Sequence, residues 1–110
     1  MDKSKALSAF AALSQETRLD VFRLLVKAGE DGLFAGEIGE RLGVRQNTMS
    51  ANLAVLLQAG LARNRREGRS IRYFADFDGI QGLLSFLMEE CCGGRPELCR
   101  PVIDELAAAC

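Results

Sequence analysis

Three cysteines near the end of the chain have the residue type and spacing to bind a soft metal ion or to undergo thiol redox chemistry. Cys91, Cys92 and Cys99 lie within nine residues of one another, and the 110-residue chain contains no histidine. Thiolate sulfur without imidazole suits thiophilic metals and metalloids, and suits poorly the nitrogen- and oxygen-liganded sites of most catalytic metals. The fourth cysteine, Cys110, ends the chain, where fraying is usual, and we interpret it as a bystander.

Trivalent arsenic or antimony fits this cluster by ligand count. As(III) and Sb(III) are soft, three-coordinate acceptors, so three thiolates fill the shell, whereas zinc normally takes four ligands. Cys91 and Cys92 would point about 100° apart on a helix. The glycine pair at 93–94 frees the chain there, and a return loop after Pro96 can bring Cys99 back as the third ligand. Another soft metal, a redox-active thiol pair and three buried apolar cysteines without a function stay open as alternatives.

Positive charge is concentrated in the middle of the chain. Residues 41–75 carry seven basic and one acidic side chain, whereas residues 1–40 and 76–110 have net charges of −2 and −5. A basic segment between acidic ends predicts that one face of the protein binds a polyanion, while the rest of its surface is negatively charged and repels one. The composition, 48% hydrophobic and 26% charged, suits one globular domain. No signal peptide and no apolar run of roughly 20 residues is visible, so we expect a cytoplasmic protein without a membrane partner.

Hydrophobic periodicity predicts a mainly helical chain with one β-hairpin. Helices are expected over about 4–13, 14–28, 35–42, 46–59, 77–90 and 102–109, with Ser14 as the N-cap of the second. The second helix has a wide apolar stripe and should be central, and residues 95–101 read as a turn-rich return. Residues 61–75 change to a period of two around Gly68, which predicts a hairpin. The third and fourth helices flank a glycine-containing turn, as in a helix-turn-helix unit.

The fourth helix and the hairpin present side chains suited to DNA. Gln46 and Asn47 can contact adenine edges, and Thr48 and Ser50 can reach bases or phosphates. The hairpin adds planar, always-charged guanidinium groups for phosphates or a minor groove: Arg63, Arg65, Arg66, Arg69 and Arg72. An enzyme is not expected, because the chain has no histidine, no phosphate-binding loop and no general base near the cysteines.

Five stretches together resemble the ArsR/SmtB family of winged helix-turn-helix metal-sensing repressors. They are LSQETRL at 13–19, GEIGERLGV at 36–44, QNTMSANL at 46–53, LLQAGL at 56–61, and RREGR at 65–69 followed by Tyr73. The resemblance implies an α+β, mainly helical winged helix-turn-helix domain over 1–110. Its helix-turn-helix would cover 38–59, its wing 62–74, and its dimer helix and cysteine-bearing tail 77–110. It also implies a homodimer, assembled through the first and fifth helices, that leaves double-stranded operator DNA when an inducer binds.

The family pattern, carried onto this sequence, gives the full set of expected DNA contacts: Arg45, Gln46, Asn47, Thr48, Ser50, Ala51, Arg63, Arg65, Arg66, Arg69 and Arg72. Family members often have serine where this chain has Arg45, so the fourth helix should begin differently or be capped by Asn47. They also often have histidine where Ala51 and Asn52 stand. The apolar stripes at Leu7 and Phe10, and at Leu83 and Leu87, fit either a dimer interface or an ordinary core.

The cysteine cluster resembles that of arsenic repressors whose metal site follows the fifth helix. The predicted function is therefore an arsenite- or antimonite-responsive repressor, with As(III) or Sb(III) held by Cys91, Cys92 and Cys99 as the inducer. A thiol-redox-sensing or other soft-metal-sensing repressor of the same fold is the alternative.

Overall fold

The structure is a computed structural model and describes residues 1–89, 93 and 95–109. Cys91, Cys92 and Cys110 lie outside the described residues. The elements follow in the order α1 (Lys3–Leu13), α2 (Glu16–Ala28), a 3₁₀ turn (Gly29–Asp31), β1 (Leu33–Phe34), α3 (Ala35–Leu42), α4 (Gln46–Gln58), β2 (Ala62–Glu67), β3 (Ser70–Ala75), α5 (Phe77–Leu87) and α6 (Pro96–Ala109). The predicted fold class, mainly helical with a β-hairpin wing, is confirmed.

The N-cap expected for the second helix is wrong by one residue. Gln15 fills that position, and its side-chain oxygen accepts the backbone N–H of Arg18 at 2.9 Å. Ser14 instead closes α1, because its hydroxyl donates to the Ala11 carbonyl at 2.8 Å. Ser14 is therefore used at the end of one helix rather than at the start of the next.

The wing is the outer part of a three-stranded antiparallel sheet with strand order β1-β3-β2. Strands β2 and β3 pair from Ala62 opposite Ala75 to Glu67 opposite Ser70, and Gly68 has the positive φ of +65° that the predicted turn needs. Strand β1 was not predicted, because a segment of two residues is too short to show a period of two. It pairs with β3 and makes β3 the middle strand.

Helix α2 is central, as predicted, and packs against α1, α3, α4 and β3. The core combines apolar side chains from these elements and the sheet: Val21, Phe22, Leu25, Leu33, Ile38, Met49, Leu53, Leu56, Leu61, Tyr73, Phe74 and Leu83. Phe74 lies on the face of β3 opposite Tyr73, yet it is only 2% exposed, because Arg63 and Arg65 lie over its ring. Tyr73, Phe74 and Ala75 are all buried in succession, so both faces of the sheet are covered at that end of β3.

Helix α1 buries small side chains and exposes large ones. Ala6, Ala9 and Ala12 pack inward, whereas Leu7 and Phe10 are 61% and 41% exposed. The apolar stripe that the sequence assigned to Leu7 and Phe10 is therefore not part of the core of this chain. It is an uncovered apolar face.

The C-terminal part differs from the prediction in one way that matters for the cysteines. Helix α5 ends at Leu87, and α6 begins at Pro96 instead of at about residue 102. Proline is well accommodated at the first helical position, where its missing N–H costs no hydrogen bond. The predicted return loop over 95–101 is therefore wrong, and Cys99 lies on a helix. None of the helices among the described residues is long and apolar enough to cross a membrane.

Candidate nucleic-acid interface

The angle between α3 and α4 is fixed by a close approach at Gly39. A side chain at this buried glycine would meet the Val44 carbonyl oxygen at 2.9 Å and the amide of Gln46. The Gln46 amide nitrogen also donates to the Ala35 carbonyl at 3.3 Å. Gln46 thus folds back onto α3 and holds the helix-turn-helix together, and its role as an adenine contact stays a prediction.

The other side chains predicted on α4 point away from the core. Arg45, Asn47, Thr48, Ser50 and Ala51 are exposed, while the inner face carries Met49, Asn52, Leu53 and Leu56. Helix α4 begins at Gln46, and the Asn47 side-chain oxygen accepts the Thr48 N–H at 2.8 Å. Asn47 thus supplies a side-chain acceptor in the first turn, where the sequence lacks the usual hydroxyl cap.

Arg72 is an anchor inside the wing. Its Nε donates to Glu67 Oε2 at 2.7 Å, its Nη1 donates to the Asp31 carbonyl at 2.9 Å, and its guanidinium lies 4.1 Å from the Phe34 ring centre. These contacts connect β3 with β1 and with the 3₁₀ turn before it. The hydrogen bond from Arg72, followed by that from Arg65, lowers the pKa of Glu67, and the bond to Glu67 raises the pKa of Arg72.

The remaining wing arginines fall into two groups. Arg63 and Arg65 lie over the Phe74 ring, 4.6 and 5.1 Å from its centre, and Arg65 also pairs with Glu67 at 3.0 Å. Arg66 and Arg69 are exposed and make no hydrogen bond or ion pair with the residues that the structure describes. The wing therefore presents two stacked guanidinium groups and two unpaired ones.

The exposed face of α4 and the tip of the wing open into one cleft. This cleft, of about 430 Å³, is lined by Ser50 of α4, Arg69 and Ser70 of the wing, and the N-terminal turn of α3. The structure therefore brings together predicted DNA contacts from two separate elements, Ser50 of α4 and Arg69 of the wing. The two groups lie on one side of the molecule, where a single linear polyanion can touch both.

One pairing near this interface was missed by sequence reasoning. Asn52 is 8% exposed, and its side-chain oxygen accepts a hydrogen bond from Arg18 at 3.2 Å. Asn52 therefore faces inward, unlike its exposed neighbour Ala51. The sequence did contain a clue to this pairing: Asn52 is a polar residue among the apolar positions of α4, and a buried polar side chain needs a hydrogen-bond partner.

Cys99 lies at the other end of the molecule, on the inner face of α6. It is 5% exposed and disulfide-bonded. It borders a groove of about 260 Å³ between α5 and α6, lined by Leu84, Ser85, Leu87, Met88, Cys99, Val102, Ile103 and Leu106. Within the described part of the chain, no three His, Cys, Asp or Glu side chains meet as a metal site. The three-cysteine site includes residues outside that part and stays a prediction.

Comparison with known sequences agrees with this architecture. A model described as "Helix-turn-helix domain" matches residues 13–65. The HTH-type transcriptional regulator YbzH of Bacillus subtilis is 30% identical over 96 residues, covering 76% of this chain and 96% of the relative. YceK of the same organism is 38% identical over 61 residues, and the match spans 56% of this chain and 60% of YceK. A candidate arsenical resistance operon repressor, ArsR, of Halobacterium salinarum is 34% identical over 67 residues, 61% of this chain and 51% of the relative.

Solved structures show the same fold. HlyU of Vibrio cholerae, a transcriptional activator by name, aligns with a TM-score of 0.64 and 28% identity over 84% of this chain and 99% of its own. A structure titled reduced HlyU gives a TM-score of 0.63 and 27% identity, with 81% and 90% covered. A homodimeric winged helix-turn-helix domain from Mycobacterium bovis, described as a possible ArsR-family regulator, gives 0.64 and 26%, with 79% and 81% covered.

Fold, wing and relatives together define a class: this protein is a helix-turn-helix transcriptional regulator and not an enzyme. Within that class, the chain belongs to the winged-helix regulators of the ArsR/SmtB type.

Proposed function

We propose that this chain is a homodimeric repressor that binds operator DNA in the cytoplasm and is released from it when the thiol of Cys99 is oxidised. The single observation that carries the sensing half of this proposal is the state of Cys99. It is 5% exposed, it is disulfide-bonded, and it borders the groove between α5 and α6. The DNA-binding half is carried by the shared cleft of α4 and the wing.

The exposed side chains of α4 are the proposed base-reading group. Arg45, Asn47, Thr48, Ser50 and Ala51 are small or polar enough to enter a major groove about 12 Å wide. Arg66 and Arg69 are the proposed phosphate contacts of the wing, because they are exposed and unpaired among the described residues. Gln46 is proposed to position α4 through its bond to α3, and Arg72 is proposed to position the wing through its bonds to Glu67 and to the Asp31 carbonyl.

A homodimer is proposed because two helices leave large apolar side chains uncovered. Leu7 and Phe10 of α1 and Leu84 and Leu87 of α5 are 39–61% exposed. Clustered exposed apolar residues on a small regulator mark a protein interface more often than free surface. The Mycobacterium bovis structure that shares this fold is titled homodimeric. Two reading heads in one dimer would meet DNA half-sites about 34 Å apart.

In the proposed switch, Cys99 pairs with Cys91 or Cys92. Two thiols lose two protons and two electrons to a peroxide or to a disulfide oxidant, and one sulfur–sulfur bond forms. Because Cys99 lies on the inner face of α6, this bond would alter the seating of α6 on α5. The spacing of the two heads would change through α5, and a coupling of 1–3 kcal/mol would change operator affinity by about 5- to 150-fold.

As(III) or Sb(III) binding is the second candidate trigger, and the donor set favours it. Three thiols within nine residues match a three-coordinate metalloid in number, and the chain offers it no histidine. The Halobacterium relative is named for arsenical resistance. The two triggers compete for the same sulfur atoms, because a cysteine in a disulfide cannot ligate a metalloid.

One titration series separates the two triggers. Reduced protein on labelled operator is treated, in separate samples, with a disulfide oxidant in metal-free buffer and with arsenite in a non-thiol reductant, and release is followed by fluorescence anisotropy. The variants are C91S, C92S and C99S, with C110S as a matched control that removes the terminal cysteine only.

If the protein senses oxidation, the oxidant releases the unmodified protein from operator but does not release C99S. C110S, and either C91S or C92S, should still be released by the oxidant. Arsenite sensing predicts release by arsenite alone, with every one of C91S, C92S and C99S unresponsive. Release of C99S by the oxidant would contradict the redox trigger, and its release by arsenite would contradict the metalloid trigger. Failure of the reduced protein to bind any operator would contradict the DNA-binding half.

A further inference from the structure

Arg18 joins three helices at one point. It opens α2, at the end of the stretch LSQETRL that marks the family, and its side chain runs back along the end of α1. Its Nε donates to the Ala12 carbonyl at 2.7 Å, and its Nη2 lies 3.5 Å from the Ala11 carbonyl. Its Nη1 donates to Asn52 of α4 at 3.2 Å. One planar guanidinium thus satisfies carbonyls at the C-terminal end of α1 and an amide on the reading helix.

The Asn52 end of this bridge is enclosed. Asn52 is 8% exposed and stands on the inner face of α4, between Met49 and Leu53, both fully buried. A polar side chain in such a place is stabilised only when its partner is kept, because an orphaned buried group costs about 1–3 kcal/mol. Among the described residues, no buried side-chain nitrogen or oxygen lacks a partner. The arrangement is therefore complete as it stands.

We propose that Arg18 and Asn52 are positioning residues for sequence-specific DNA recognition: the bridge fixes the rotation of α4 relative to α1. Ser50 and Ala51, the exposed reading residues, immediately precede Asn52 on the same helix, so a rotation of α4 moves them directly. This inference depends on α4 being the reading helix. It does not depend on Cys99 or on the nature of the inducer.

The bridge should affect specific binding more than non-specific binding. Base contacts require the reading side chains to meet base edges in register, whereas phosphate contacts tolerate small rotations. Neither Arg18 nor Asn52 faces the cleft shared by α4 and the wing, so no phosphate contact is lost when the bridge is broken. A loose reading helix would therefore lower operator affinity and leave the salt dependence unchanged.

The experiment compares four single variants and one double variant of the full chain on operator and on unrelated DNA over a range of salt concentrations. N52L keeps the side-chain size and removes the acceptor, and R18Q removes the forked donor. N52D keeps an acceptor for Arg18 and is the conservative rescue. R23Q, an exposed arginine of the same helix α2 that makes no pair with described residues, is the matched control for charge.

We expect N52L and R18Q to bind operator about 10-fold or more weakly, with unchanged affinity for unrelated DNA and an unchanged salt slope, and N52D and R23Q to bind normally. The double variant R18Q/N52L should be no weaker than either single change, since the two residues act as one bridge. Equal losses on operator and unrelated DNA, a reduced salt slope, or normal operator binding by N52L would each overturn the proposal. If N52L does not fold, failure of the folded N52D variant to bind operator normally would overturn it as well.

Discussion

The reading head and the C-terminal end of this regulator are built on different principles. The head, from α2 to β3, is held by polar contacts of specific geometry around a buried core. Arg18 and Arg72 each bond to two or more groups, and Gln46 bonds to the Ala35 carbonyl. The end formed by α5 and α6 leaves several large apolar side chains exposed. Leu87, Leu98, Ile103 and Leu106 are each more than half exposed.

This difference assigns different tasks to the two regions. Directional bonds set the angles of the side chains that are proposed to contact base edges, and they define one arrangement. An apolar face can be covered in more than one way at similar cost, which suits an element that shifts on signal. The head is therefore the fixed part of the proposed device, and the α5–α6 end is the part that can move.

The junction between the two regions gives the largest expected effect. Gly79 in the first turn of α5 lies directly against the Gly60 carbonyl, so a methyl group there would overlap backbone atoms. Gly79→Ala should force α5 away from the head and destabilise the protein by about 3 kcal/mol, the upper end of typical overpacking costs. Chemical denaturation of the variant measures this loss.

Gly82→Ala is the matched control for Gly79→Ala. Gly82 lies in the same helix, and an added methyl group would meet only the Met1 side chain, at ordinary contact distances of 3.5 Å and more. This substitution should be neutral or should stabilise the helix by about 0.5–1 kcal/mol. Equal stability of the two variants would contradict the tight junction and would allow α5 to move independently of the head.

Much of the head was predictable from sequence because its signals are local. Helix α3 has the predicted bounds, and the hairpin turns at Gly68 as expected. Strand β1 was not predictable, because it pairs with residues of β3 some forty positions later. The burial of Phe74 was not predictable either, because its ring lies against Gly32 and beneath Arg63 and Arg65 of the neighbouring strand. The error at 95–101 has another cause, since proline can open a helix as well as end one.

The candidate site was predicted only in outline. Sequence identified the charged and polar residues of α4 and the wing but could not tell exposed arginines from engaged ones. Arg69 and Arg72 look alike in sequence, yet only Arg72 bonds to Glu67 and to the Asp31 carbonyl. That distinction requires the fold, because Asp31 is 41 positions away in the chain.

The salt dependence of operator binding sharpens the contrast between these two arginines. Arg69→Gln removes a proposed phosphate contact from each protomer, and should weaken binding to all DNA and lower the log–log salt slope by about 2 for a dimer. Arg72→Gln should leave the slope unchanged while loosening the wing. Anisotropy titrations at several salt concentrations measure both. A larger slope change for Arg72→Gln than for Arg69→Gln would reverse the assignment.

The smallest expected effect concerns the ionisation of Glu67 within the wing. Its pKa lies below the ordinary value of 4.5, first because of the Arg72 hydrogen bond and then because of that from Arg65. A carboxyl group with a lowered folded-state pKa contributes stability above its unfolded-state pKa and loses that contribution as pH falls through the folded-state value. The Glu67 contribution should therefore be complete at neutral pH and disappear only below about pH 4.5.

Carboxyl NMR titration of Glu67 tests this order of causes directly. Arg72→Gln should raise the pKa of Glu67 toward 4.5 more than Arg65→Gln does, because Arg72 makes the shorter bond, 2.7 Å against 3.0 Å. A larger rise in Arg65→Gln would show that Glu67 is held mainly from its own strand, β2, instead of from β3. The wing would then be anchored by its own strand pairing alone, and the contrast between a fixed head and a movable C-terminal end would lose one of its supports.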